Sequence, residues 1–176
     1  MRKVLYLFGV LEETDIDWLA RNGEKQYLEP GTVLIREGEP VGSLFLVLEG
    51  GLEVKRSNGA RVATLLSGEI VGEISFVDAR PPSATVQTME ASHVLAVDRE
   101  RLKAKLAADA AFASRFYLAI AVFLADRLRA TTSQLGYGSP AQDQKAPDEI
   151  DDTMMDAVSV ANVRFDNFIK TLRLNR

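Results

Sequence analysis

Apolar positions change their spacing twice along this chain. Over residues 4 to 22 they fall at Leu5, Phe8, Leu11, Ile16, Trp18 and Leu19, the three- and four-residue intervals of an amphipathic helix. Thr14 or Asp15 is the expected N-cap, because a short side-chain oxygen there accepts from an orphan N–H of the first turn. From residue 25 to 98, short runs such as "TVLIRE", "SLFLVLEG", "LEVKR" and "RVATLL" are bounded by glycines at 31, 38, 42, 50, 51, 59, 68 and 72. Many short strands with regular turn signals predict an all-β sandwich or barrel. "SNG" at 57–59 separates two of the runs, and Asn-Gly supplies the two positive-φ positions of a tight hairpin. "TVQTMEASHVLAVDRE" adds two strands with a turn near Glu90 and Ala91.

Helical spacing returns after Asp98. "RERLKAKLAAD" is a short amphipathic segment, and a long one follows with Phe112, Phe116, Ala119, Ile120, Phe123, Leu124, Leu128 and Leu135 on a wide stripe. A small sandwich covers only one side of such a stripe, so a second copy of the same helix is the expected cover for the rest, over about residues 110–135. "GYGSPAQDQKAPDEIDD" reads as a linker over 136–152. From Thr153 a last amphipathic helix carries Met154, Val158, Ala161, Phe165, Phe168 or Ile169, and Leu172. Asp152 or Thr153 is its expected cap. Three docking places fit it: its own domain, a second copy, or a separate partner.

Composition narrows the function. The chain has 176 residues, 47% hydrophobic and 26% charged, with a formal net charge of −4. That describes one globular domain plus an appendage and lacks the clustered positive charge of a nucleic-acid surface. No apolar stretch is long enough to cross a bilayer. Arg2 and Lys3 before "VLYLFGVL" imitate a secretory signal, but acidic "EETD" follows at once and no small-residue cleavage site appears. A cytoplasmic chain is therefore expected.

Catalytic chemistry has few residues to use. There is no cysteine and one histidine, His93. A cupin-type metal site needs several imidazoles, and no Gly-x-Ser-x-Gly elbow presents a nucleophile. An enzyme is not expected, and neither is a cofactor or a metal.

The remaining chemistry lies in "GEISFVDARPPSATV" at 72–86. Gly72 permits close backbone approach, and Glu73 to Val77, with Ile74 in the first turn, fits a single helical turn. Free N–H groups at such a turn attract phosphate, whereas Glu73 suits a sugar hydroxyl. Ser83 and Ala84 offer backbone donors without bulk. Together they suit a ribose fused to a phosphate. The same residues also fit a plain tight turn with Glu73 in water.

The sequence resembles the cyclic-nucleotide-binding domain family over most of residues 1–135. The matching blocks are "LFGVLEETDIDWLA", "YLEPGTVLIREGEPVGSLFLVLEGGLEV", "LLSGEIVGEISFVDARPPSATV" and "DRLRATTSQL". The resemblance implies an eight-stranded jelly roll with helices at both ends and a pocket for cyclic AMP or cyclic GMP. It places Glu73, after Gly72, on the ribose 2′-hydroxyl and assigns the small pair to Ser83 and Ala84. The family's phosphate-gripping arginine falls on Pro82, which has neither charge nor N–H. Arg80, two residues upstream, and Arg127, on the long helix, are the candidate replacements. Thr131 and Thr132 match a pair that reads adenine in family members resembling the bacterial catabolite activator. Only 41 residues follow Leu135, too few for the helix-turn-helix and wing those members add. The expected function is a dimeric cyclic-nucleotide sensor, cyclic AMP favoured, signalling through its C-terminal helices, one of which also suits a protein partner. The alternative is a degenerate scaffold that binds no nucleotide.

Overall fold

A computed structural model describes residues 4–134 and 152–174. Helices α1 (Val4–Val10) and α2 (Glu13–Asn22) lead into eight strands: β1 (Gly23–Leu28), β2 (Val33–Ile35), β3 (Ser43–Glu49), β4 (Gly51–Lys55), β5 (Arg61–Leu66), β6 (Ile70–Val71), β7 (Thr85–Thr88) and β8 (Ser92–Asp98). Helix α3 (Glu73–Asp78) interrupts them after β6, and α4 (Arg99–Ala108), α5 (Ala110–Gln134) and α6 (Asp152–Leu174) follow. The strands form two four-stranded antiparallel sheets, ordered β1-β8-β3-β6 and β2-β7-β4-β5.

One sheet is covered on both faces, which explains the unbroken run in β3. Phe45 and Val47 of β3, with Val94 and Ala96 of β8, face the second sheet and pack on Ile35, Leu52, Leu65, Val71 and Val86. Leu44, Leu46 and Leu48, with Leu95 and Val97, face the other way and share a core with Phe112, Phe116, Ile120 and Phe123 of α5. Side chains alternate along a strand, so a sheet buried on both faces needs apolar residues at every position. The outermost strand β5 is exposed at five of its six residues.

Two local expectations are corrected. The stripe over 4–22 is two helices broken at Leu11, and the cap of the second is Glu12, with Asp15 three residues inside. Asp15 reaches back to accept from the Glu12 N–H at 3.0 Å, and its oxygens take the Arg115 Nε and NH2 donors at 2.6 and 2.9 Å. A two-pronged contact of this kind fixes α2 against α5. Burial alone would raise the Asp15 carboxyl, but the hydrogen bonds from Arg115 and Glu12 outweigh it and hold the group below the usual aspartate range. The hairpin at 57–59 exists with a different turn. Gly59 has φ +79°, Asn58 is not left-handed, and Gly59 N–H donates to the Arg56 carbonyl at 2.8 Å. A three-residue loop closed by one left-handed glycine has replaced the two-residue turn. The two strands expected on either side of Glu90 and Ala91 are present as β7 and β8, one in each sheet.

Helix α6 docks on its own domain. Ala161, Phe168 and Leu172 are buried with Leu7, Phe8, Leu11 and Ile16. The Phe8 ring meets Phe165 at 5.1 Å and Phe168 at 5.2 Å between centroids. Arg164 donates to the Phe8 and Leu11 carbonyls at 3.1 and 2.9 Å, where a helix end leaves acceptors unsatisfied and favours a cation. Leu135 and the linker expected over 136–152 lie outside the described residues, apart from Asp152, where α6 begins.

Phe168→Ala leaves a cavity under α6 and should cost about 3 kcal/mol in urea unfolding. Val163→Ala, at a residue 58% exposed, should cost less than about 0.5 kcal/mol. Equal effects would contradict the docking.

Candidate functional site

A cavity of about 360 Å³ opens between the two ends of the 72–86 segment, inside the roughly 300–1,000 Å³ span of small-molecule sites. Its floor is apolar, from Ile35, Val54, Leu65, Val71 and Val86. Gly72, Glu73, Ile74, Arg80, Pro82, Ser83, Ala84 and Arg127 all line it, with Ser75, Asp78 and Pro81. A groove of about 280 Å³ between α2 and α6 and a recess of about 80 Å³ beside His93 lie elsewhere.

Left-handed residues bound the single-turn helix α3 on both sides. Gly72 has φ +90°, and a Cβ there would stand 3.2 Å from the Ser43 carbonyl oxygen. Glycine is therefore favoured by both conformation and space. Ala79 closes the helix at φ 59°, its N–H donating to the Ser75 carbonyl at 3.1 Å. On the opposite wall, Gly38 N–H donates to the Pro82 carbonyl at 2.8 Å, and Glu37 N–H to the Thr85 hydroxyl at 3.1 Å. These bonds pin the 81–85 strip to the β2–β3 loop.

Glu73 is only 2% exposed, and its Oε1 accepts from Arg127. Arg127 also donates to the Ile70 carbonyl at 3.3 Å and stacks 4.6 Å above the Phe123 ring. Its charge is thus engaged within the chain. Arg80 is exposed, and its backbone N–H donates to Asp78 at 3.0 Å. Its guanidinium makes no hydrogen bond or ion pair among the described residues, so it is the cavity's available cation. Thr131 and Thr132 are not brought to the cavity. Their hydroxyls donate to the carbonyls of Arg127 at 2.9 Å and of Leu128 and Arg129 at 3.0 Å, the back-bonding that helices offer such side chains.

The floor residues and Asp78 went unforeseen. The floor comes from five strands, each contributing one inward position. No single stretch of sequence displays that set, although strand alternation marks its members as inward-facing.

Three comparisons bear on this geometry. Residues 25–109 match the family model described as "Cyclic nucleotide-binding domain". Over these residues, just under half of its length, the chain is similar to a cyclic nucleotide-binding domain. Among curated relatives, it is 42% identical over 62 residues to a cAMP-dependent protein kinase regulatory subunit of Yarrowia lipolytica, covering 35% of this chain and 16% of that one. It is 32% identical over 100 residues to the potassium channel AKT1 of Oryza sativa, covering 54% of this chain and 10% of the channel. The chain spans 27% or less of the length of the curated relatives it matches. In fold it is similar to a cyclic nucleotide-binding domain from Methylobacillus flagellatus, with TM-score 0.69, 19% identity, and coverage of 80% of this chain and 84% of the other. It is also similar to the catabolite activator protein of Thermus thermophilus, with TM-score 0.61, 20% identity, and 97% and 87% covered. Such domains regulate rather than catalyse. Among the described residues, no group of three or more histidine, aspartate and glutamate side chains could hold a metal ion, and no helix is long and apolar enough to cross a membrane.

Burial pushes the Glu73 carboxyl above the usual range; Arg127 and the residue's own N–H pull it back, and Glu69 pushes it further up. A raised folded-state value means that the native form holds the proton longer than the unfolded chain. Stability from this group is therefore greatest below the ordinary glutamate value of about 4.3 and is lost as pH rises through the folded value. In Glu73→Gln that decline should be absent. Urea midpoints of the two proteins measured from about pH 4 upward test this, and parallel curves would contradict it.

Proposed function

We propose that the cavity binds a cyclic nucleotide and that the domain is the sensing part of a dimeric regulatory protein. The observation that carries this reading is the convergence of a buried acceptor, Glu73, and an available cation, Arg80, on one apolar-floored cavity of about 360 Å³. In this reading the Glu73 carboxylate accepts the ribose 2′-hydroxyl, and Arg80 meets the phosphate in place of an arginine at position 82. Ser83 and Ala84 border the phosphate without crowding it. Cyclic AMP is favoured over cyclic GMP because the relative with 42% identity is a cAMP-dependent kinase subunit. The open cavity does not favour a scaffold with a closed pocket.

Dimerisation is proposed through α5. Ser114, Leu118, Ala121, Ala125, Leu128 and Thr132 recur at four- and three-residue steps on the side away from the core, with Leu118 56% and Leu128 64% exposed. Small residues between two leucines at this spacing suit a helix–helix seam. A path for signalling is also available. Arg127 ties α5 to Glu73, α5 packs on α1, and α1 carries α6. A ligand that competes for Glu73 alters what holds α5, and through it the two C-terminal helices and any protein partner they meet.

Calorimetric titration of nucleotide-free protein with cyclic AMP should give micromolar or tighter binding, with cyclic GMP weaker. Glu73→Ala should weaken it at least about tenfold, the loss of one charge-assisted hydrogen bond. No heat and no thermal shift at millimolar ligand would overturn the reading. In sedimentation, the wild type should be a dimer and the Leu118→Glu, Leu128→Glu double variant a monomer. A monomeric wild type would refute the seam.

A further inference from the structure

We propose that this pocket selects for the ribose and not for the phosphate, so that an uncharged nucleoside is a ligand in its own right. The inference rests on the reading that the pocket takes a nucleotide, and it names the part of the ligand that carries the affinity.

Charge is the first argument. The charged groups of the lining are Glu73, Asp78, Arg80 and Arg127, two acids and two bases, so the formal balance is zero. Arg127 is spent on Glu73, on the Ile70 carbonyl and on the Phe123 ring. Asp78 stands two residues from Arg80, its carboxylate already on the Arg80 N–H. The side-chain charge left for an anion is that of the solvent-exposed Arg80 guanidinium. An exposed ion pair strengthens binding by less than about fivefold. Pro81 and Pro82, side by side on the wall, add neither charge nor N–H.

The second argument is what the cavity does supply. Glu73 is a carboxylate 2% exposed, with one oxygen on Arg127. A buried carboxylate is costly until donors reach it, and a ribose hydroxyl is such a donor. Beneath it the apolar floor of Ile35, Leu65, Val71 and Val86 offers a flat base a surface to leave water against. A hydroxyl donor joined to a flat ring system whose faces suit an apolar surface, with no charge, is a nucleoside.

The experiment compares adenosine, 2′-deoxyadenosine and cyclic AMP by calorimetry on the full chain. Adenosine should bind within about tenfold of cyclic AMP, and 2′-deoxyadenosine at least about tenfold more weakly than adenosine, as the loss of a hydrogen bond to a charged group requires. Cyclic AMP binding more than about tenfold tighter than adenosine would overturn the inference while leaving the pocket's assignment intact. So would equal binding of adenosine and 2′-deoxyadenosine. Binding by none of the three would overturn both the inference and the assignment on which it rests.

Discussion

The contact between Glu73 and Arg127 is the constraint on which the site depends. It joins a six-residue helix at the pocket wall to the long helix α5. A carboxylate buried this deeply would be strongly unfavourable alone, and the guanidinium, itself stacked on Phe123, makes it tolerable. A buried ion pair is weak support for stability, because desolvation offsets most of the attraction. Its value lies in position. The same carboxylate faces the cavity and holds the helix, so the state of one is felt by the other. Gly72 makes the contact possible by turning the chain through a left-handed conformation that strains any residue with a Cβ, in a space where that Cβ would stand 3.2 Å from the Ser43 carbonyl oxygen.

The scaffold around this contact is rigid for reasons visible in its packing. The β1-β8-β3-β6 sheet, buried on both faces, separates the core between the two sheets from the core shared with the helices. On the helical side, Asp15 and Arg115 lock α2 to α5 about three turns before Arg127. Helix α6 closes the outer face of α1 through Phe165, Phe168 and the Arg164 guanidinium. Movement of α5 at its Arg127 end is thus resisted at its other end.

Much of this was legible from residue patterns. The strands, the single turn after Gly72, the long helix and the final helix all follow from spacing, because each has one dominant apolar period. The cavity lining from Gly72 to Ala84 was legible from a motif whose members are close in sequence. What escaped depends on contacts between distant residues. The Glu12 cap was hidden because Asp15, which looks like a cap, is held inside the helix by Arg115, one hundred positions away. The hairpin turn escaped because a dipeptide does not specify whether one or both of its residues become left-handed. Arg127 was foreseen as a cavity residue but not as the partner of Glu73, fifty-four positions earlier. The threonines after it matched a motif in spacing, yet their hydroxyls turn back to the helix carbonyls.

The most direct test of the central claim is a crystal structure of the protein grown with cyclic AMP. The account predicts ligand density in the cavity between Gly72 and Ala84, with the ribose 2′-hydroxyl within hydrogen-bond distance of the Glu73 carboxylate. Ligand bound elsewhere, or in the cavity with the ribose turned away from Glu73, would contradict it.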